Sequence, residues 1–410
     1  VNNHYDVLVI GGGASGFFTA INAAEMDPGL KIGILERGKE VLTKVKVSGG
    51  GRCNVTHAEF VPDQLVTQYP RGEKELLGPF SRFMTGDTIE WFEQRGIALK
   101  IEEDGRMFPV SDSSQTIIDL FLNESKRLGV QLMYNKPVRN LQNVDAGWEV
   151  STKDETFTTD VVVIATGSNP KIWKMLRELG HSIVEPVPSL FTFNISDPRI
   201  TDLAGITAEV SVEVLGKDGK AILFSEGPLL ITHWGMSGPA ILKLSAWGAR
   251  ILEPLDYNFK IRVNWLGDAH ADEVHEQIKS LKYQFARKRI GSLAQFGLSK
   301  RLWRRIVEAS GIAETEIWAD LTKSRQIELV DQLTAATFQV EGKSTFKEEF
   351  VTAGGVDLKE VNFKTFESKL FPAMYFTGEV LNIDAITGGF NFQNAWTGGY
   401  LAARAIAKQR

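Results

Sequence analysis

Six residues near the start of the chain, Gly11-Gly12-Gly13-Ala14-Ser15-Gly16, satisfy G-x-G-x-x-G, and an acid, Glu36, follows twenty residues after the last glycine. Those residue types at that spacing suit a dinucleotide. Gly11 makes a tight turn, Gly13 lets a pyrophosphate approach a backbone without Cβ, and Gly16 lets a helix pack closely on a strand. The phosphates would sit on the N–H groups and positive dipole end of that helix, at Ala14 and Ser15. Glu36 can accept hydrogen bonds from a ribose. Alone the pattern is weak, because glycine-rich turns are common; the elements around it make it strong. Tyr5 to Ile10 is a short apolar run rich in β-branched residues and reads as a buried strand. Phe17 to Met26 has helical spacing, and Lys31 to Leu35 reads as a second strand ending on Glu36.

Two further glycine clusters suit a cofactor whose far end is a large ring. Ser48-Gly49-Gly50-Gly51-Arg52-Cys53-Asn54 has a bare backbone able to lie against a flat ring or a phosphate, with Lys44, Lys46 and Arg52 supplying positive charge. Gly388-Gly389-Phe390-Asn391 precedes a helix expected over Asn394 to Ala407. Its N–H groups and dipole would face the ring atoms where negative charge develops on reduction; a plain helix cap is the alternative. Between them, the apolar strand Asp160 to Ile164 runs into Ala165-Thr166-Gly167, and Phe371 to Phe376 runs into Thr377-Gly378-Glu379. Each would return the chain to the cofactor.

The chain has 410 residues, 43% of them hydrophobic, with a net charge of −5, so it can bury large cores and has no global pull toward nucleic acid or anionic membrane. No apolar run approaches the ~18 residues of a membrane span, and the N-terminal apolar run is already used as a strand, so no signal peptide is expected. Cys53 is the single cysteine, which excludes an intrachain disulfide and a redox disulfide pair and suits the cytoplasm. From about residue 190 the pattern changes. Phe191 to Ile195, Ala208 to Leu215 and Phe259 to Val263 alternate with period two, and His270 to Ala336 is largely helical. The expected organisation is an α/β, Rossmann-type dinucleotide-binding domain over 1–189 and 347–410. An inserted domain over 190–346 has a β-rich part (190–268) and a helical part (269–346).

Together with Phe108-Pro109-Val110-Ser111-Asp112 and Thr232-His233-Trp234-Gly235-Met236-Ser237-Gly238-Pro239, these motifs resemble a family of bacterial flavoproteins, the aminoacetone oxidase-like or BaiN-type (bile-acid dehydro-reductase-like) group. The resemblance spans nearly the whole chain. It implies non-covalent FAD in a fold of the two-dinucleotide-binding-domains type, and an insertion made of a β-barrel-like half and a helical half. It also implies a substrate cleft between the flavin face and that insertion. The cofactor contacts expected are Gly11, Gly13, Ala14, Ser15, Gly16, Glu36, Arg37, Lys44, Ser48, Gly49, Gly50, Gly51, Arg52, Cys53, Asn54, Val138, Ala165, Thr166, Gly167, Gly378, Glu379, Gly389, Phe390 and Asn391. The function implied is an FAD-dependent oxidoreductase exchanging hydride between a small-molecule substrate and the flavin. With only one G-x-G-x-x-G, no separate nicotinamide domain is expected; NAD(P)H would dock transiently, or oxygen would serve. Amine oxidation and enone reduction both remain open, as does the oligomeric state.

For acid–base work the candidate is His233, in a Gly- and Ser-rich turn, because histidine titrates near neutrality; a structural histidine anchoring the turn is the alternative. His57 is a weaker candidate, Cys53 reads better as a small buried residue than as a nucleophile, and no metal set is expected. Lys279 to Arg305 holds nine basic residues and no acid, with Tyr283, Phe285, Phe296 and Trp303 interleaved. An RNA-modifying or otherwise nucleic-acid- or protein-binding flavoprotein is thus the competing reading. It is weighed against a solvated helical face, which the acidic chain as a whole favours.

Overall fold

A computed structural model describes residues 3–145, 147–344 and 351–408. The chain divides into two compact units, Val1–Pro188 with Lys347–Arg410, and Ser189–Phe346. The expected second boundary, 346/347, lies outside the described residues.

The first unit is built on a parallel sheet. Its strands are β1 (His4–Ile10), β2 (Ile32–Leu35), β3 (Gln131–Met133), β4 (Thr156–Ile164) and β5 (Met374–Phe376), side by side in the order β3-β2-β1-β4-β5. An antiparallel hairpin, Asn140–Val144 and Gly147–Ser151, extends from β4. Runs of valine, isoleucine and leucine form the central strands because both faces are covered: Val7 to Ile10, all of β2 and Val161 to Ile164 are buried. Strand order reverses between β1 and β4, the point where parallel α/β sheets open a crevice beyond their carboxyl ends.

Two helices lie against each other beside this crevice: α1 (Ala14–Met26) and α2 (Phe390–Ile406). A Cβ placed on Gly399 would stand 3.0 Å from Thr19 Oγ1 and 3.3 Å from the Ser15 carbonyl oxygen, so glycine here sets how closely the helices approach. Phe18, Trp91, Phe92, Phe121 and Trp396 pack around them with ring centroids 4.5 to 6.5 Å apart. Burial of aromatic area on this scale supplies much of a core's stability. α2 starts at Phe390, four residues before the sequence expectation, because Gly389, at φ 95°, turns the chain directly into it.

The second unit has an antiparallel sheet in the order 336–341, 258–264, 207–215, 221–231, 235–237, 192–194, 343–344. Strand 221–231 carries no clear sequence signal, because Gly227-Pro228 interrupts its alternation, and strand 336–341 directly follows a helix and begins at Ala336, inside the stretch expected to be largely helical. Helices Pro239–Trp247, Ala271–Gln284, Lys300–Ala309 and Lys323–Thr334 complete the unit. Its core joins sheet residues such as Phe193, Val212 and Ile261 to helical ones such as Ile278, Trp303 and Leu329.

Candidate functional site

The carboxyl ends of four strands of the first unit stand in one row. Ile10 is paired with Leu35 on one side and with Ile164 on the other, and Ile164 is paired with Phe376. The next residues along each strand are Gly11, Glu36, Ala165 and Thr377. Four motifs that are up to 366 residues apart in the chain therefore begin at one edge of the sheet.

The glycine-rich turn fits a phosphate cradle. A Cβ on Gly11 would lie 2.3 Å from the Ala165 carbonyl oxygen, and one on Gly16 would lie 2.1 Å from the Gly11 carbonyl oxygen. A Cβ on Gly13 meets nothing within 4 Å. So Gly11 and Gly16 are dictated by the protein's own packing, and Gly13 faces open space. No side chain caps α1, which leaves its first N–H groups for an anion. The Glu36 carboxylate accepts hydrogen bonds from Gly12 N–H (2.9 Å) and Gly38 N–H (2.7 Å), one on each oxygen. Each oxygen keeps lone pairs for a hydroxyl donor. Arg37 is exposed beside it. The segment carrying Val138 is tied to the same place, Asn135 and Lys136 donating from their backbones to the carbonyls of Gly38 (3.0 Å) and Glu36 (2.8 Å). The Thr166 hydroxyl is buried without a hydrogen-bond partner, as is that of Thr377. Buried polar atoms of this kind call for a ligand or water. The residues present fit the adenosine and pyrophosphate part of FAD.

The second cluster is a bent helix. Thr43 to Gly51 begins helically and breaks at Ser48, after which Gly49, Gly50 and Gly51 have φ of 57°, 69° and 85°. Three left-handed residues in succession are strongly disfavoured for any residue with a side chain. Gly49 rests on Phe108, and a Cβ on Gly50 meets nothing within 4 Å. Arg52 lies over the Phe108 ring (3.9 Å to its centroid) and pairs with Glu102 (2.6 Å) and Asp112 (3.5 Å). Cys53 is fully buried and burial pushes its thiol up to about 12. At that value the thiolate is scarce, so native protein is expected to resist iodoacetamide at neutral pH while unfolded chains take one label; labelling of the folded form would place the thiol elsewhere.

This cluster is splinted to the start of α2. With its amide oriented to satisfy both ends, Asn54 accepts from Gly389 N–H (3.0 Å) and donates to the carbonyls of Thr56 (3.0 Å) and Met107 (3.2 Å). Asn391, expected at the cofactor, uses its side chain to accept from Ala385 N–H (3.0 Å) and donate to the Ala385 carbonyl (3.2 Å). Lys44 pairs with Glu379, whose other oxygen accepts from Thr352 N–H (3.1 Å), and a Cβ on Gly167 would stand 3.6 Å from that carboxylate. Gly378 packs on Ser15. All four motifs thus meet within the first unit.

Sequence reasoning missed Tyr69 and Gln393. The buried Tyr69 hydroxyl donates to the Phe390 carbonyl (2.6 Å), and Gln393 Oε1 accepts from Thr56 and Thr88 hydroxyls (2.6 and 3.0 Å). Neither has a local signal, since these partners lie hundreds of residues away, and only Gln393 has a near one, Thr397 (3.1 Å). His57, ranked low, stacks on Phe390 (4.5 Å between centroids) with Nδ1 3.1 Å from the Gly388 carbonyl oxygen. Burial lowers its pKa, against the raising effects of that carbonyl, Asp104 and Glu59. The folded state therefore binds fewer protons than the unfolded one as pH falls below about 6.5, and stability drops there. Replacing His57 with asparagine should flatten the decline in urea midpoint between about pH 7 and pH 5; an unchanged slope would contradict the assignment.

His233 belongs to the second unit. It is exposed on the turn between strands 221–231 and 235–237, its ring edge-on to Trp234 at 6.1 Å. Among the described residues no cluster of His, Cys, Asp and Glu is suited to a metal ion, and no helix is long and apolar enough to cross a membrane.

A family model described as "HI0933-like protein Rossmann domain" matches residues 5–405. The chain is 28% identical over 423 residues to a ribosomal RNA dihydrouridine synthase of Haemophilus influenzae, covering 100% of both. It is 28% identical over 414 residues to a 3-dehydro-bile acid delta(4,6)-reductase of Clostridium scindens, covering 98% of both. Among solved structures, 3-ketosteroid delta1-dehydrogenase from Sterolibacterium denitrificans aligns over 100% of both chains with a TM-score of 0.51 and 11% identity, a likeness of fold.

Proposed function

The chain belongs to the HI0933-like Rossmann family of FAD-dependent oxidoreductases, and from that membership we propose that it reduces a carbon–carbon double bond conjugated to a carbonyl group. One structural observation supports the flavin half of this reading: the aligned strand ends Ile10, Leu35, Ile164 and Phe376, with the cradle of Gly11 to Gly16 beside them. The relatives' names support the other half. A dihydrouridine synthase saturates a uracil ring next to its carbonyl, and a 3-dehydro delta(4,6)-reductase removes double bonds conjugated to a ketone. Reducing a double bond conjugated to a carbonyl adds hydride to the carbon far from the carbonyl and a proton to the nearer one.

The flavin, when bound and reduced, supplies the hydride. This chain's residues would bind and orient it: Gly11 to Gly16 and the start of α1 would hold the phosphates, Glu36 and Arg37 the ribose end, and the Gly49–Gly51 and Gly388–Gly389 backbones the ring. Exposed and on a Gly-rich turn, His233 is proposed to deliver the proton. NAD(P)H, docking transiently, is the proposed reductant.

The test is anaerobic. Protein reduced with NAD(P)H should be reoxidised by a conjugated unsaturated carbonyl, such as a uridine-containing RNA or a 4-ene-3-ketosteroid, and not by the saturated analogue. Flavin that stays reduced with every conjugated carbonyl would overturn the reductase reading, and rapid reoxidation by oxygen would then favour an oxidase.

A further inference from the structure

We propose that the helical half of the inserted unit carries an RNA-docking surface formed by Tyr283, Arg287, Lys288, Arg289, Lys300 and Arg301. The proposal deepens the reading above, and rests on it, by making RNA the carrier of the reducible ring.

The charge on this face is not used within the fold. Of the nine cations between Lys279 and Arg305, three are paired: Lys279 with Glu276 (2.7 Å), Arg304 with Glu314 (3.1 Å) and Arg305 with Glu308 (3.2 Å). Lys282 donates to the Leu321 carbonyl (2.7 Å), and the nearby Glu316 is taken by Arg325. Arg287, Lys288, Arg289, Lys300 and Arg301 are all exposed, and none of them has an ion pair among the described residues. Lys300 and Arg301 also open a helix whose first turn has no acid. Cations there oppose the helix dipole and cost stability, so local folding does not account for them.

The segments that carry these residues are tied to one another. The backbone of 286–289 runs against 317–319, with Trp318 N–H donating to the Lys288 carbonyl (3.0 Å) and Ala319 N–H to that of Ala286 (2.9 Å). Just beyond, the Trp303 indole donates to the Ile290 carbonyl (2.9 Å), and a Cβ on Gly291 would meet Arg304 Cγ at 4.0 Å. Lys300 lies one turn before Arg304 on the same helix face. Tyr283 ends the helix that leads into Arg287 and is 86% exposed. The other aromatics of the stretch are spoken for: Trp303 is buried, and Phe285 and Phe296 pack on the core. An exposed aromatic ring among unpaired cations offers a stacking face for a base beside contacts for phosphates, the combination that binds RNA.

The holoprotein, titrated against a fluorescein-labelled, uridine-containing RNA by anisotropy across a salt series, should bind with a log–log salt slope near −3.5 if all five cations meet phosphates. Changing Arg287, Lys288 and Arg289 together to glutamine should reduce the slope by about 2. Tyr283→Ala should weaken binding roughly five- to 150-fold, the worth of one base–aromatic stack. Flavin content and reduction of a free 4-ene-3-ketone should not change in either variant. RNA binding that is absent at low salt, or indifferent to all these substitutions, overturns the proposal, as does equal binding of polyglutamate. If RNA binds as expected while no conjugated double bond is reduced, the docking surface stands and the reductase reading fails.

Discussion

Gly13→Val is expected to give a folded, colourless protein. Gly13 has φ −95°, which any residue adopts, and a Cβ there meets no heavy atom within 4 Å. Its loss as the residue before α1 should cost no more than about 1 kcal/mol, the scale of an N-cap change. The open space is where the turn would admit the pyrophosphate, and a branched side chain fills it. Displacing the anion from two N–H groups forfeits about 1.5–3 kcal/mol each, so FAD affinity should fall by about two to four powers of ten. Gly16→Val should fail differently. Its Cβ would lie 2.1 Å from the Gly11 carbonyl oxygen, so the strand–helix packing itself must move and stability should fall with or without flavin. Flavin absorbance per chain, together with circular dichroism and urea unfolding of the flavin-free proteins, separates the two. Stoichiometric FAD in purified Gly13→Val would refute the cradle.

The contrast between these glycines bears on what a sequence can disclose. The first fingerprint is legible because strand, turn, helix and acid are consecutive, and their chemistry depends on neighbours within the first 36 residues. The row of strand ends is partly legible: an apolar run into Ala165-Thr166-Gly167 or Thr377-Gly378-Glu379 announces a strand end, but not that Ile164 pairs with both Ile10 and Phe376. The splints at the start of α2 are not legible. Asn54 reads as a loop polar residue until Gly389 is brought to it, and Tyr69 as a core aromatic until its hydroxyl meets Phe390. Contacts spanning more than 300 residues leave no periodicity. The bent helix at Thr43–Gly51 lies between these cases. Its glycines are visible, while the three successive left-handed residues follow from Phe108 and Asn54 packing beneath Gly49.

Asp384→Ala should be among the most destabilising single changes in the first unit. Asp384 is fully buried, and both of its oxygens meet the guanidinium of Arg71, a side chain only 14% exposed. The backbones of the two residues are bridged, Ile386 N–H donates to the Gln68 carbonyl (3.0 Å), and Gly72 packs directly on Ile383. Removing one partner of a buried pair strands the other charge, at a cost of about 3–5 kcal/mol. By contrast, the exposed pair Lys174–Glu178, one helical turn apart, should contribute no more than ~1 kcal/mol. The consequence reaches the site, because residues 383–386 lead within four residues to Gly389 and the start of α2, and Asn391 holds Ala385 from the other side. Asp384→Ala should therefore lower the urea midpoint and also weaken flavin retention, whereas Arg71→Met combined with Asp384→Leu should recover much of the stability by removing both charges. A midpoint for Asp384→Ala corresponding to less than about 1 kcal/mol of lost stability would show that the pair does not anchor this segment. A double variant no more stable than the single one would show that shape, and not the stranded cation, governs the loss.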